Sequence, residues 1–193
     1  LDGPTRPLAG PHASVVRPEE LALADRWIIA RCDATVRAAT EAYERFRLND
    51  AAAAVYHFLW SDLADWYIEQ AKPRLYGSQP GGDVARAVAA QTFDVALRLL
   101  HPVMPFVTET LWKRLPGRQE IDSISVAPWP VPDDRARHHR YSESLSQFAS
   151  VQLIITSLRQ LRADSGLHPG EVVEGLITTA SLIERDLITP ELE

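Results

Sequence analysis

A mainly α chain, an antiparallel helical bundle with a small C-terminal α/β appendage, is predicted by three features of the sequence. Proline and glycine are absent from residues 19–72, 83–101 and 133–165, stretches too long to be loops of a compact domain. Inside them apolar residues recur every three or four positions, the period of one helix face. Glu171 to Thr179 alone reads as a strand, and a lone strand cannot bury itself.

Residues 1–17 read as an extended leader. Pro18 suits a first helical turn, and Leu21, Ala24, Ile28, Cys32, Thr35, Ala39, Ala42 and Phe46 draw one apolar stripe behind it. Leu48-Asn49 offers an N-cap preceded by an apolar residue, so a second helix is predicted from Asp50 to Lys72 with Val55, Phe58, Leu59, Leu63 and Trp66 inward. The two form an antiparallel hairpin. Pro73 disfavours helical geometry at Lys72 and bends or stops that helix, and residues 77–82 make a loop. Asp83 caps a third helix whose Val84, Val88, Phe93, Val95, Leu97, Leu99 and Leu100 make it apolar on most sides, as befits the centre of a bundle. His101-Pro102 closes it. Pro105 opens a shorter helix through Trp112 and Leu115, which Pro116-Gly117 ends. Ile124 to Pro132, with three prolines, is extended. A last helix from Ser142 to Asp164 carries Phe148, Val151, Ile155 and Leu158, and Gly166 with Pro169 terminates it. The bundle therefore occupies 18–132, and a helix-plus-strand subdomain occupies 133–193.

Composition narrows the functional classes. The chain has 193 residues, 46% of them apolar, enough to bury a core of its own. Cys32 is the single cysteine, which excludes an internal disulfide, and no signal peptide opens the chain, so a soluble protein of the reducing cytoplasm is expected. The apolar run Val95 to Val107 is interrupted by Arg98, His101 and two prolines well before a membrane span is complete. A first residue Leu1, with Met104 the only methionine, reads as a piece of a longer polypeptide. The net charge of −6 argues against a polyphosphate binder until it is divided. Six acids fall in 171–193 against Arg185 alone, leaving a near-neutral body whose cations are arginine except for Lys72 and Lys113. Arginine is the better fork for phosphate, although an arginine-rich surface is ordinary.

Sites of covalent chemistry are not legible. There is no glycine-rich phosphate loop, no Glu-x-x-His pair for a di-metal centre and no nucleophile elbow, so no catalytic, cofactor-binding or metal-ligating residue is assigned. His138-His139 within Arg135 to Arg140 reads as a solvated basic loop, and Cys32 as a small core residue. Asp62, Asp65 and Glu69 crowd one helix face beside Trp66. Arginines of the neighbouring helix, or Lys72, would pair with them and fix register. The alternative is that they accept hydrogen bonds from base amines while Trp66 offers a stacking face. Arg159 and Arg162 form either a solvated edge or a phosphate clamp.

The strings DLADWYIEQAKPRLYG at Asp62 to Gly77, LLHPVMPFVTETLWKRLPG at Leu99 to Gly117 and ISVAPWP at Ile124 to Pro130 resemble, in that order, the anticodon-binding region of the valyl-tRNA synthetase family. RWIIARCDATV at Arg26 to Val36 and SLRQLRADSG at Ser157 to Gly166 fit the same family, and the likeness runs from Leu23 to Val173. Isoleucine and leucine enzymes resemble the strings more loosely. The resemblance implies the helical bundle of a class I synthetase, gripping the anticodon arm of valine tRNA and reading mainly its middle adenine and third base. It also implies a monomeric parent that activates valine with ATP and magnesium in a catalytic domain elsewhere, so that this segment alone is inactive. Lys72, Arg74, Arg98, Arg159 and Arg162 are the cations nearest the matched strings and become candidate phosphate contacts, with Trp66 a candidate stacking residue. A non-catalytic protein-interaction module is the alternative from a different class.

Overall fold

The computed structural model describes residues 16–77, 79–132 and 138–166, with the single residues 168 and 178. The predicted leader and the predicted strand Glu171 to Thr179 lie outside them except at residues 16, 17 and 178. Every regular element among the described residues is helical: α1 (Leu23–Glu44), α2 (Leu48–His57), a π-helical stretch (Phe58–Ile68), α3 (Glu69–Leu75), α4 (Gly82–Leu100), α5 (Pro105–Trp112) and α6 (His138–Asp164), with 3-10 turns at Pro18–Glu20 and Ile124–Val126. The chain divides into two compact units, Leu1–Ser144 and Leu145–Glu193, whereas the sequence reading divides it at 132/133.

α1 starts later than its apolar stripe because Pro18–Glu20 forms a turn of its own and Leu21 and Ala22 are extended. From Leu21 to Ala42 the predicted stripe is buried throughout. Phe46 corrects it: the ring is 89% exposed. The helix has already ended, in a Schellman motif in which the Arg47 N–H donates to the Ala42 carbonyl (2.8 Å) and the Phe46 N–H to the Tyr43 carbonyl (3.0 Å). That motif requires left-handed backbone at Phe46, whose φ is +58°, and so aims the side chain away from the stripe.

The second rod begins at Leu48, and Asn49 sits inside its first turn rather than capping it. Val55, Phe58 and Leu63 are buried as predicted, but Leu59 and Trp66 are only half-buried, and Asp62 and Tyr67 are buried in their place. The physical reason is the π-helical stretch: hydrogen bonds to the fifth residue widen the turn, so the inward positions Phe58, Asp62, Leu63 and Tyr67 follow steps of four and five. Helix then continues through Pro73 to Leu75 instead of stopping at Lys72. Pro73 forfeits a hydrogen bond only two residues from the end, and the next residue, Arg74, is clamped by a buried carboxylate that offsets the loss.

α4 is the central helix, packing against α1, α2, the π-helical stretch, α3 and α5. Its N-cap is Gly81, with φ +87°, not Asp83. A Cβ on the following Gly82 would lie 2.6 Å from the Arg74 carbonyl, so only glycine lets α4 start against the end of α3. At its far end Leu97, Trp112 and Ile124 form a cluster flanked by Phe93, Leu115 and Ala127. The proline-rich segment is a 3-10 turn at Ile124–Val126 before it extends. It straps α1, because the Trp129 indole donates to Thr40 Oγ1 (2.9 Å) and meets the Tyr43 ring edge-on. α6 begins at His138, four residues before the expected start, so His138 and His139 lie on helix rather than in a loop. Within it Phe148 and Val151 are buried, and Ile155 and Leu158 half-buried.

Phe46 carries left-handed strain without burying its ring. Replacing it with glycine is expected to stabilise the chain by about 1 kcal/mol, raising the thermal midpoint by a few degrees in a calorimetric scan.

Candidate nucleic-acid interface

Two buried carboxylates organise the helices that carry the matched strings. Asp25, fully buried in the first turn of α1, accepts the Ala22 N–H (2.9 Å) and so caps its own helix. It also receives the Tyr67 hydroxyl (2.8 Å) and both terminal nitrogens of Arg74 (2.7 and 2.8 Å). Tyr67 reaches the α4 backbone as well, at the Ala85 carbonyl (3.2 Å). Burial first, and the adjacent Asp25 carboxylate second, push the Tyr67 hydroxyl far above the ordinary tyrosine range. One carboxylate thus ties α1, the π-helical stretch and α3, with α4 joined through Tyr67.

Asp94 does the same work further along α4. Its Oδ1 accepts Trp112 Nε1 (2.7 Å) and Arg118 Nη2 (2.5 Å), and its Oδ2 accepts Arg98 Nη2 (2.6 Å). The Arg118 guanidinium lies over the Trp112 ring at 3.9 Å. Arg98 also donates to the Pro128 carbonyl (2.9 Å), fixing the strap. Two further residues of the second string act similarly. His101 bridges Thr108 Oγ1 (2.7 Å) and Ser125 Oγ (3.0 Å), and Glu109 accepts the Ile124 N–H (3.1 Å).

The candidate residues sit among these ties as follows. The Arg74 and Arg98 side chains are only 11% and 9% exposed and are paired with Asp25 and Asp94, so a phosphate contact there would have to displace a buried carboxylate. Lys72 is partly exposed and pairs with Glu69 at 2.5 Å, one turn of helix away. Asp62 pairs with Arg31 of α1 at 2.9 Å, with His57 3.9 Å away. The register-fixing pair expected for this face is what the geometry gives at Asp62 alone; Glu69 pairs within its own helix, and Asp65 is exposed. Trp66 is half-buried. Arg159 and Arg162 lie in the second unit, the former exposed, the latter half-buried with Nη2 on the His168 carbonyl (2.9 Å). Among the described residues no group of histidines, cysteines and carboxylates could hold a metal ion, and no helix is long and apolar enough to cross a membrane.

The rings that do reach solvent were not among the predicted site residues. Tyr56 and Trp60 are exposed, one helical turn apart, and their planes lie within 3° of parallel with centroids 6.3 Å apart. Their spacing of four was the available signal; the 3.6-residue period placed attention on the neighbouring apolar positions instead. Phe46 keeps the four-residue spacing from Ala42, which hides the end of α1 at Glu44.

Residues 25–177 match the family model described as the anticodon-binding domain of tRNA ligase. The chain belongs to that family. A valine–tRNA ligase of Carboxydothermus hydrogenoformans is 42% identical over 86% of this chain and 18% of its own length. Valine–tRNA ligases of Streptomyces avermitilis and Clostridium acetobutylicum are 37% and 36% identical, each over 83% of this chain and 18% of their own length. The chain thus spans about a fifth of these relatives. The matched strings WYIEQAKPRLY and HPVMPFVTETLW supply the bundle ties Tyr67, Arg74, His101, Glu109 and Trp112, and they also carry the exposed rings Tyr76 and Phe106.

Asp25→Ala removes one partner of a buried pair and is expected to cost about 3–5 kcal/mol in denaturant unfolding, whereas Asp65→Ala on the exposed face should change stability by under about 0.5 kcal/mol. Tyr67 gives a pH signature. Its hydroxyl keeps its proton in the folded chain but ionises near pH 10 when unfolded, so this contribution is complete below about pH 10 and is lost as pH rises beyond it. Unfolding midpoints measured from pH 8 to 11 should fall at the alkaline end, and Tyr67→Phe should flatten that fall.

Proposed function

We propose that this chain is the anticodon-arm-binding part of a valine–tRNA ligase and that its partner is the anticodon stem-loop of valine tRNA. The observation that supports it most is the relation to valine–tRNA ligases along more than four fifths of the chain. The physics is consistent with that role. Single-stranded loop bases can be splayed out, stacked on aromatic rings and hydrogen-bonded one at a time by a rigid helical scaffold. A bundle cross-tied by buried carboxylates supplies the rigidity, and Tyr56 with Trp60 supplies exposed parallel rings.

In this reading the ligase works as a monomer in the cytoplasm. Valine activation with ATP and magnesium, and transfer to the tRNA, fall to the part of the ligase beyond this segment, which contributes binding energy for the correct tRNA. Lys72, Arg159 and Arg162 remain the phosphate contacts proposed from the sequence. Each would add mainly salt-dependent affinity.

The test is a gel-shift titration of the chain with the valine anticodon hairpin and with a hairpin whose middle base is changed, at low and moderate salt. The expected result is binding of both that weakens with salt, with the matched hairpin bound at least about fivefold more tightly. Equal affinity would remove base reading from this segment, and no binding at low salt would overturn the RNA-binding role.

A further inference from the structure

The turn between α1 and α2 carries a side chain that the fold does not account for. Both Schellman hydrogen bonds at the end of α1 are made by backbone, and the position they place in left-handed geometry favours glycine, yet it holds Phe46. Ordinarily a large apolar residue repays backbone strain by burial; this ring is almost wholly in solvent, with Leu48 exposed beside it in sequence. Neither local geometry nor packing explains an aromatic residue there. On either side in sequence are Arg45 and Arg47, both exposed, paired with Glu41 at 2.9 Å and with Asp50 at 3.2 Å. Surface pairs of this type contribute little and exchange readily for another anion.

We propose that Arg45, Phe46 and Arg47 form a nucleotide contact, in which the Phe46 ring stacks under an unpaired base and the two guanidinium groups leave their carboxylates for the flanking phosphates. It rests on the RNA-binding role proposed above and adds a place on the molecule where RNA is held. An exposed ring between two arginines fits single-stranded nucleic acid, whose bases stack on it without regard to sequence and whose backbone supplies the anions. An apolar protein surface would cover the ring but give neither guanidinium an anion in place of Glu41 or Asp50.

Glycine at this position separates structure from recognition, because it suits the backbone better than the native residue. In the 193-residue chain, Phe46→Gly is expected to raise the thermal midpoint while weakening the valine anticodon hairpin about tenfold, with the same loss for the hairpin of altered middle base. Phe46→Asn, which also tolerates left-handed backbone, should behave alike, and Phe46→Tyr should retain wild-type affinity. Arg45→Ala and Arg47→Ala should each lower the slope of log affinity against log salt by about 0.7. Wild-type affinity in both Phe46→Gly and Phe46→Asn, when the native chain binds RNA, overturns this proposal and leaves the RNA-binding role standing. Failure of the native chain to bind either hairpin overturns both.

Discussion

Two carboxylates taken out of water, Asp25 and Asp94, set the terms for the first unit. A buried anion is tolerable only when its lone pairs are filled by well-placed donors, and each site draws at least two of those donors from distant parts of the sequence. Asp25 can be satisfied only if Tyr67 and Arg74 arrive together from the second rod. Asp94 can be satisfied only if Trp112, Arg118 and Arg98 converge on α4. Hydrophobic burial would bring these helices together in several sliding registers, while the carboxylates accept one. The cost is visible in the Arg98 and Arg118 Nε atoms, which are buried without an acceptor.

The π-helical stretch belongs to the same constraint. With ordinary helical spacing, Tyr67 and Arg74 would stand on different faces of the rod from Phe58 and Asp62. The widened turn brings Phe58, Asp62, Leu63 and Tyr67 into the interior and leaves Trp66 half-buried. It also leaves Tyr56 and Trp60 outward at the junction between ordinary and widened helix. Surface and core are therefore linked: the geometry that seats the Asp25 tie also determines which rings of the second rod meet solvent.

Helix positions and the central place of α4 were legible because breakers and a 3.6-residue period are written into the sequence itself. The stripe from Leu21 to Ala42 is buried as read, and so are Val55, Phe58, Leu63, Val88, Leu97 and Leu99. Family membership was legible from the motif strings, which are specific in combination. What was not legible depends on partners far along the chain. The pairing of Arg74 is hidden because nothing near it in sequence announces Asp25, and that of Arg98 because its neighbour Asp94 acts in concert with Trp112 and Arg118. Phe46 looked like the next step of a stripe because a Schellman ending without glycine has no sequence mark. The polar residues of the strings, Tyr67, Arg74, His101, Glu109 and Trp112 among them, thus hold the bundle, while the exposed rings Phe46, Tyr56 and Trp60 lie outside the candidate set.

That division of roles is the central claim, and arginine side-chain NMR addresses it directly. Each Nε–Hε signal of the chain would be followed while the valine anticodon hairpin is added. Interior ties predict that Arg74 and Arg98 keep their shifts and slow solvent exchange through saturation, while the amide signals around Phe46, Tyr56 and Trp60 move. Large shifts or faster exchange at Arg74 and Arg98, with the exposed rings unchanged, would contradict the account.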